Sequence, residues 1–567
     1  MVAFSFRKQW RLIFCVVMPL ILSPLIFLPD DTKKYKCLYV ILLMGASWMV
    51  EAIPLSVTAL LPVVFFPIFG IQTTAQVVSN YMRETGMMFI GGISLALGIQ
   101  HSGLHKRIAL NMMVIIGVSP WRLLLGIMVT TFTLSCWIVG NTAVTAMMIP
   151  IVTGLVESVD HPGDREHLRV LYMLAVGYAA NIGGTAVMIG SIPNIIFKDL
   201  VALENIGQNG KYTEINFATW IAFNMPIALI NLAIVWSYLG FLYLRQGARK
   251  GSTPTCHPTN VQYERRHSSQ AELSSISSSG SISAQREAPN TVQSAEKIGQ
   301  TLRNKLTALG SMNFHEKSVS VLFFFAVLLW FTRDPQVFSG WQSWMPLAVG
   351  DSSVAILVLV FMFIIPRDLN GFRKGTSDSS SSGSSETLMS WDYLQLHFPW
   401  SVVLLVGGGF AISDGAEASK LSVWLGEQLN GLESLPTPLL LYVVLLVLSV
   451  FTEVMSNAAT VSLLTPILLA LSKRIDLHPL YISFSGAIAC QYAFILPTSN
   501  PPNALVFSAG RMRILDMVKP GLPLNFVCLT VLFLMNISWG QFLFKFGSYE
   551  YPNAENNVTT TVMPALL

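Results

Sequence analysis

What most constrains this chain is a succession of apolar runs of the length a bilayer demands. A helix needs about 20 residues to cross the hydrocarbon layer, and such runs begin near Leu12, Cys37, Ile53, Met87, Val170, Ile221, Ser318, Ser352, Val402, Leu480 and Leu522. That makes eleven candidate spans. Composition agrees, with 12% charged residues against roughly 25% in a soluble domain. The formal charge of +4 leaves no footprint for nucleic acid. Six scattered cysteines form no paired spacing and read as small hydrophobes. The basic start (Arg7, Lys8, Arg11) and the apolar run Leu12 to Leu28 would suit a signal peptide, but no small-residue cleavage site follows, so this run reads as the first span.

Charge at the span ends sets an orientation, because short cytoplasmic loops are enriched in Lys and Arg. With a cytoplasmic N-terminus, the inside segments His105 to Arg107, Arg245 to Lys317, Arg367 to Lys374 and Arg511 to Lys519 are all basic. The outside segments Lys198 to Glu214, Arg333 to Asp351 and Lys545 to Glu555 hold at least as many acids as bases. Lys33 to Lys36, and Lys473 with Arg474, run against the pattern. An odd number of spans places the C-terminus outside, where Asn557 begins a glycosylation sequon; the sequon at Asn536 falls in an apolar run and reads as incidental. Two serine-rich stretches, His267 to Ser283 and Thr376 to Thr387, cannot bury a core and read as disordered cytoplasmic linkers.

The first linker separates two blocks that share markers. Gly91-Gly92 recurs as Gly407-Gly408, and Asn141-Thr142 with Pro150 recurs as Asn457-Ala458 with Pro466, both 316 residues on. Ser191-Ile192-Pro193-Asn194 recurs as Asn500-Pro501-Pro502-Asn503, with Asn194 and Asn503 309 apart. Each block holds five spans and one interrupted stretch, and five is odd, so the second block is inverted relative to the first. The expected fold is an all-α polytopic membrane protein of two inverted repeats, about eleven transmembrane helices and two re-entrant helical hairpins. Its expected parts are 1–36 (N-terminus and first span), 37–245 (first repeat, hairpin 121–156) and 246–317 (Ser-rich cytoplasmic linker). The second repeat follows over 318–545 with its hairpin at 437–472, then an extracellular tail over 546–567.

The interruptions are where chemistry is expected. Small polar residues at Gly140-Asn141-Thr142 and Ser456-Asn457-Ala458 lie in segments otherwise suited to lipid, and irregular backbone at that depth must be buried in protein or line a wet cavity. A hairpin tip offers free amides at a helix N-terminus to an anion, while carbonyl and Asn oxygens can hold Na⁺. Pro193 and Pro502 break two further helices beside the tips. Asn and Thr in spans commonly just bond neighbouring helices; paired recurrence together with the prolines argues for a site instead. Gly407-Gly408-Gly409 reads as close packing. Asp414 is weighted equally between a site and a wet helix end, and Glu453 is the better acid for a role near sodium. Neither a nucleophile-and-base pair nor a metal motif appears in the spans, so the expectation is that the protein is not an enzyme.

These pieces resemble the divalent-anion/sodium symporter family of citrate, dicarboxylate and sulfate transporters. The resemblance extends through Glu51-Ala52-Ile53-Pro54-Leu55, Leu104-His105-Lys106-Arg107, Ile182-Gly183-Gly184-Thr185 and Trp330-Phe331-Thr332-Arg333-Asp334-Pro335. It implies an elevator-type homodimer in the plasma membrane, with small-anion substrate, co-transported Na⁺ and lipid as its partners and no prosthetic group. Residue by residue it implies substrate contacts at Asn141, Thr142, Ser191, Ser456, Asn457, Ala458 and Asn500. One sodium site would use Ser135, Asn141 and the backbone at Gly190, the other Thr452, Asn457 and the backbone at Ser499. The first tip departs from the family's Trp-x-Ser-Asn-Thr: Trp137-Ile138-Val139-Gly140-Asn141-Thr142 replaces a serine by Val-Gly and adds a residue. Pro193-Asn194 is similar to the carboxylate branch, and Asn500 and Asp414 to the sulfate branch. The leading expectation is sodium symport of di- and tricarboxylates. The alternatives are sodium–sulfate symport and a transport-inactive anion-binding or sensing paralogue.

Overall fold

The computed structural model describes residues 6–28, 32–117, 119–138, 140–157, 162–203, 215–245, 299–333, 339–347, 349–368, 386–421, 424 and 435–548. Their regular structure is helical, with one isolated bridge between Pro366 and Thr387. Asn557, the serine-rich stretch His267 to Ser283, most of the second serine run and Val139 lie outside the described residues. The described end of the 246–317 linker contains a helix over 299–308, and the next apolar helix starts at Phe314.

Among the described residues, six helices are long and apolar enough to cross a bilayer: Trp10–Phe27, Phe217–Leu244, Phe314–Arg333, Trp400–Ala418, Thr437–Val454 and Ile514–Phe544. A seventh counts if Thr74–Ser102 and Leu104–Ile116, bent by 70°, form one span. Several other apolar runs are divided. The run from Val170 belongs to the helix Pro162–Ala186, which stops at a five-residue break before Ile192–Leu203. The run from Leu480 is the helix Pro479–Ala489, followed by an eleven-residue break and the helix Pro501–Gly510. Pro193 and Pro502 occupy the second position of the resumed helices. There a missing N–H is no loss, so these prolines mark restarts rather than kinks.

Glycine sets how closely the helices approach. A Cβ on Gly91 would stand 2.5 Å from Ala355, seating Glu84–Ser102 against Asp351–Ile364. On Trp400–Ala418, a Cβ on Gly408 would stand 2.7 Å from the Ala59 carbonyl oxygen, and one on Gly409 2.8 Å from Ser462. The triple glycine therefore serves packing, as its sequence context suggests. Ion pairs join segments assigned to the same side by charge. Lys198 and Arg333 lie 2.6 and 3.2 Å from buried Asp351, and Arg107 lies 3.2 Å from Glu316. Asn536 is buried and donates to the Tyr481 carbonyl, which fits the reading of its sequon as incidental.

Candidate functional site

Two helix–break–helix pairs carry the predicted tips. The first joins Pro120–Trp137 to Asn141–Glu157, and the second joins Thr437–Val454 to Asn457–Arg474. In the second, Met455 and Ser456 turn the chain with extended backbone, and the Ser456 Oγ accepts from the Ala459 amide at 3.3 Å. The first break is one residue longer and passes through Gly140 at φ +101°. L-residues rarely adopt that angle. The Val-Gly departure thus gives the longer first turn the residue it requires, and its helix still begins at Asn141.

Behind each tip the same oxygen cluster forms. The Ser135 Oγ lies 3.1 Å from Asn141 Oδ1 and 2.8 Å from the Ala180 carbonyl oxygen. In the second half the Thr452 Oγ1 lies 2.9 Å from Asn457 Oδ1 and also contacts the Cys490 carbonyl oxygen. A hydroxyl carries a single hydrogen, so it cannot donate fully to both oxygens at once. Three oxygens with one hydrogen among them make a natural coordination set for a small hard cation. Ser135 and Thr452 are fully buried, outside the cavity described below. A Cβ on Gly190 would stand 2.8 Å from the Gly184 carbonyl oxygen and 2.9 Å from that of Ser135, so the chain passes close beside the first cluster. Ser499 is placed differently: its hydroxyl donates to the Leu496 carbonyl at 2.7 Å and accepts from Asn503 at 3.0 Å.

The two breaks are held by asparagines whose bonds repeat. Asn194 Nδ2 donates to the carbonyls of Gly184 (2.7 Å) and Val187 (2.9 Å). Asn503 Nδ2 donates to those of Ala493 (2.7 Å) and Leu496 (3.2 Å), so each partner recurs 309 residues on. The amides then cross-link the halves reciprocally. Asn181 Nδ2 donates to Asn503 Oδ1 at 3.2 Å, and Gln491 Nε2 donates to Asn194 Oδ1 at 2.6 Å, with Asn181 and Gln491 310 apart. Asn181 and Gln491 were not among the predicted site residues. Their signal was present as an amide near each break, Asn181 within the last two turns of the helix before the first and Gln491 just inside the second, at nearly the offset of Asn194 and Asn503. The drop from 316 to about 309 has a structural source: the helix before the second break is shorter than its counterpart, 11 residues against 25, and the second break is longer, eleven residues against five, which restores part of the difference.

A cavity of about 710 Å³ lies between the tips. All the residues predicted to meet substrate line it: Asn141, Thr142 and Ser191 from the first half, and Ser456, Asn457, Ala458 and Asn500 from the second. The helices that begin at Asn141, Ile192, Asn457 and Pro501 all present their N-terminal residues to it. Orphan amides and the positive dipole end favour an anion at each such terminus. Ile93, Leu97 and Leu405 supply apolar wall. The two weighed acids lie elsewhere. Asp414 pairs with Arg83 at 2.6 Å, away from the cavity lining. Glu453 accepts from the amides of Ile495 (3.0 Å) and Leu496 (2.9 Å), so it ties the second break to the second tip.

The geometry agrees with what the chain is similar to. The model of the sodium:sulfate symporter transmembrane region matches residues 7–546. The Na(+)/dicarboxylate cotransporter 3 of Rattus norvegicus is 31% identical, over 99% of this chain and 97% of its own length. Solute carrier family 13 member 2 of Oryctolagus cuniculus is 34% identical over 98% and 96%. The Na(+)/citrate cotransporter of Rattus norvegicus is 33% identical over 94% and 95%. With its long apolar helices and this near-complete match, the chain is a multi-pass membrane protein that belongs to the sodium:sulfate symporter family.

Proposed function

We propose that this chain is a sodium-coupled symporter of di- and tricarboxylate anions of the succinate and citrate class, not an enzyme. The observation that carries the reading is the pairing of two oxygen clusters with two tips around one cavity, where four helix N-termini end. Sodium at Ser135, Asn141 and Gly190, and at Thr452, Asn457 and Ser499, would fix each asparagine and the N-terminus behind it. The anion would then bind to tips that sodium has ordered, at Asn141, Thr142, Ser191, Ser456, Asn457, Ala458 and Asn500. Coupling of this kind is reciprocal: the anion tightens sodium by the factor by which sodium tightens the anion. The carboxylate choice rests on the named relatives and on apolar wall suited to a carbon backbone.

The recurring bonds at offsets of 309 to 317 support two inverted repeats, 37–245 and 318–545, within an eleven-span protein with re-entrant tips. Family membership supports a homodimer in the plasma membrane that moves substrate by an elevator motion. Sulfate is the second reading. The Oδ1 of Asn500 accepts from the Asn503 amide at 2.9 Å and its Nδ2 donates to the Ala493 carbonyl at 3.5 Å, so the second Nδ2 hydrogen is the donor that would serve either oxyanion. Uptake of labelled succinate, citrate and sulfate by cells expressing the chain, with and without Na⁺, tests the assignment. Sodium-dependent uptake of the carboxylates is expected; sulfate uptake alone moves the chain to the second reading, and none at all defeats both.

A further inference from the structure

Among the described residues that line the cavity there is no Lys, Arg, Asp or Glu, and His397 is the single ionisable side chain. It ends the short helix Trp391–His397, outside both helix pairs that carry the tips. The same lining holds Ser401, four residues after His397, and Gln100, the neighbour of His101 whose ring stacks on Tyr393; neither side chain has a hydrogen-bond partner among the described residues. His397 Nδ1 lies 2.9 Å from the Tyr393 carbonyl oxygen and donates to it. In the neutral ring the other nitrogen, Nε2, then carries a lone pair and offers a carboxylate only repulsion. Protonation turns Nε2 into a charged donor.

The imidazole has support for that charge. Its ring stacks on Tyr393 at 4.1 Å, and Tyr393 stacks on His101 at 4.1 Å on its other side. A cation over a phenol face is stabilised. The titratable and charged groups around the stack are Tyr393 itself, Asp392 on the same helix, His101 with His315 at 5.2 Å behind it, and Arg367 and Glu386 acting on His101. The stretches 54–56, 140–143 and 399–405 of the cavity wall bring no charge of their own.

We propose that His397, with Gln100 and Ser401, forms a subsite for an additional carboxylate, so that protonation of His397 shifts this transporter from divalent toward trivalent carboxylates. The proposal rests on the carboxylate reading of the cavity. Histidine is the side chain type whose charge ordinarily changes near neutral pH, so the test spans pH 6 to pH 8. The test compares sodium-dependent uptake of labelled citrate and succinate at pH 6 and pH 8 by wild type, H397Q and H397R, each normalised to protein at the cell surface. Citrate itself loses charge at lower pH in every variant alike, so variants are compared at one pH. At pH 6 the wild-type citrate-to-succinate ratio should exceed that of H397Q about 10-fold, the size of one charge-assisted hydrogen bond. At pH 8 the wild-type ratio should fall to that of H397Q or below it, since glutamine keeps an amide donor, while H397R holds the higher ratio at both. Equal ratios for wild type and H397Q at pH 6 overturn the subsite, and a ratio lowered equally at both pH values overturns the charge argument. If H397R does not reach the surface, the H397Q comparison decides alone. Absence of sodium-dependent succinate uptake by wild type defeats the carboxylate reading itself.

Discussion

Gly140→Ala isolates the role of the first tip, because the structure separates backbone strain from crowding there. Gly140 has φ +101°, and a Cβ built on it would meet nothing within 4 Å. The added methyl therefore clashes with no neighbour, and its whole effect is the penalty of holding an L-residue at positive φ, about 1–2 kcal/mol. If the strained turn is what presents Asn141 to Ser135, that penalty reduces the population of the binding-competent tip roughly 5- to 30-fold. Gly70 supplies the matched control: its φ is +68°, a Cβ there also meets nothing within 4 Å, and it lies away from the cavity lining. Sodium titrations of succinate uptake, normalised to surface protein, should show the half-saturating sodium concentration raised by that factor in Gly140→Ala and unmoved in Gly70→Ala. Wild-type sodium dependence in Gly140→Ala would refute the strained-tip reasoning. Equal impairment of both variants would refute it as well, by assigning the loss to general destabilisation.

Removing one oxygen from a cluster, by Ser135→Ala or Thr452→Val, should weaken apparent sodium affinity about 10-fold; variants with unchanged sodium titrations would remove those hydroxyls from the cation sites. Asn503→Ala strips the donor from the Ala493 and Leu496 carbonyls and the acceptor from Asn181. At roughly 1–3 kcal/mol for each buried group left unpaired, it should lower the melting temperature of detergent-purified protein by several degrees, and an unshifted melt would show the seam to be dispensable. Gly408→Ala drives a methyl to 2.7 Å from the Ala59 carbonyl oxygen; an overpacking penalty of about 1–3 kcal/mol should appear as a lower melting temperature, and an unchanged melt would contradict the close-packing role.

Much of this site is legible in the sequence because its chemistry is duplicated. A single Asn-Thr in an apolar run has a packing explanation, but Asn141 and Asn457 recur at a fixed offset beside Pro193 and Pro502, and the cavity brings all of these together. The triple glycine is legible for the same reason, since close approach is what glycine permits. The seam between Asn181, Gln491, Asn194 and Asn503 is less so. Its two cross-links join residues 322 and 297 apart, and no local pattern states which amide faces which. Glu453 was placed near sodium by proximity to Asn457, whereas its carboxylate is spent on the amides of Ile495 and Leu496, a contact fixed by tertiary folding. His397 carried no signal, being one histidine at the end of a short helix until the fold turns it into the cavity wall. Span counting is limited by the same breaks that make the site, because Pro162–Ala186 and Pro479–Ala489 end partway along their apolar runs.

The most direct test of sodium-coupled carboxylate transport uses the purified chain in proteoliposomes, with labelled succinate outside and an inward sodium gradient. The account predicts accumulation above the equilibrium level that collapses when sodium is equal on both sides or replaced by potassium, and that is lost in the double variant Asn141→Ala, Asn457→Ala. Accumulation that ignores the sodium gradient, or that survives loss of both tip asparagines, would contradict it.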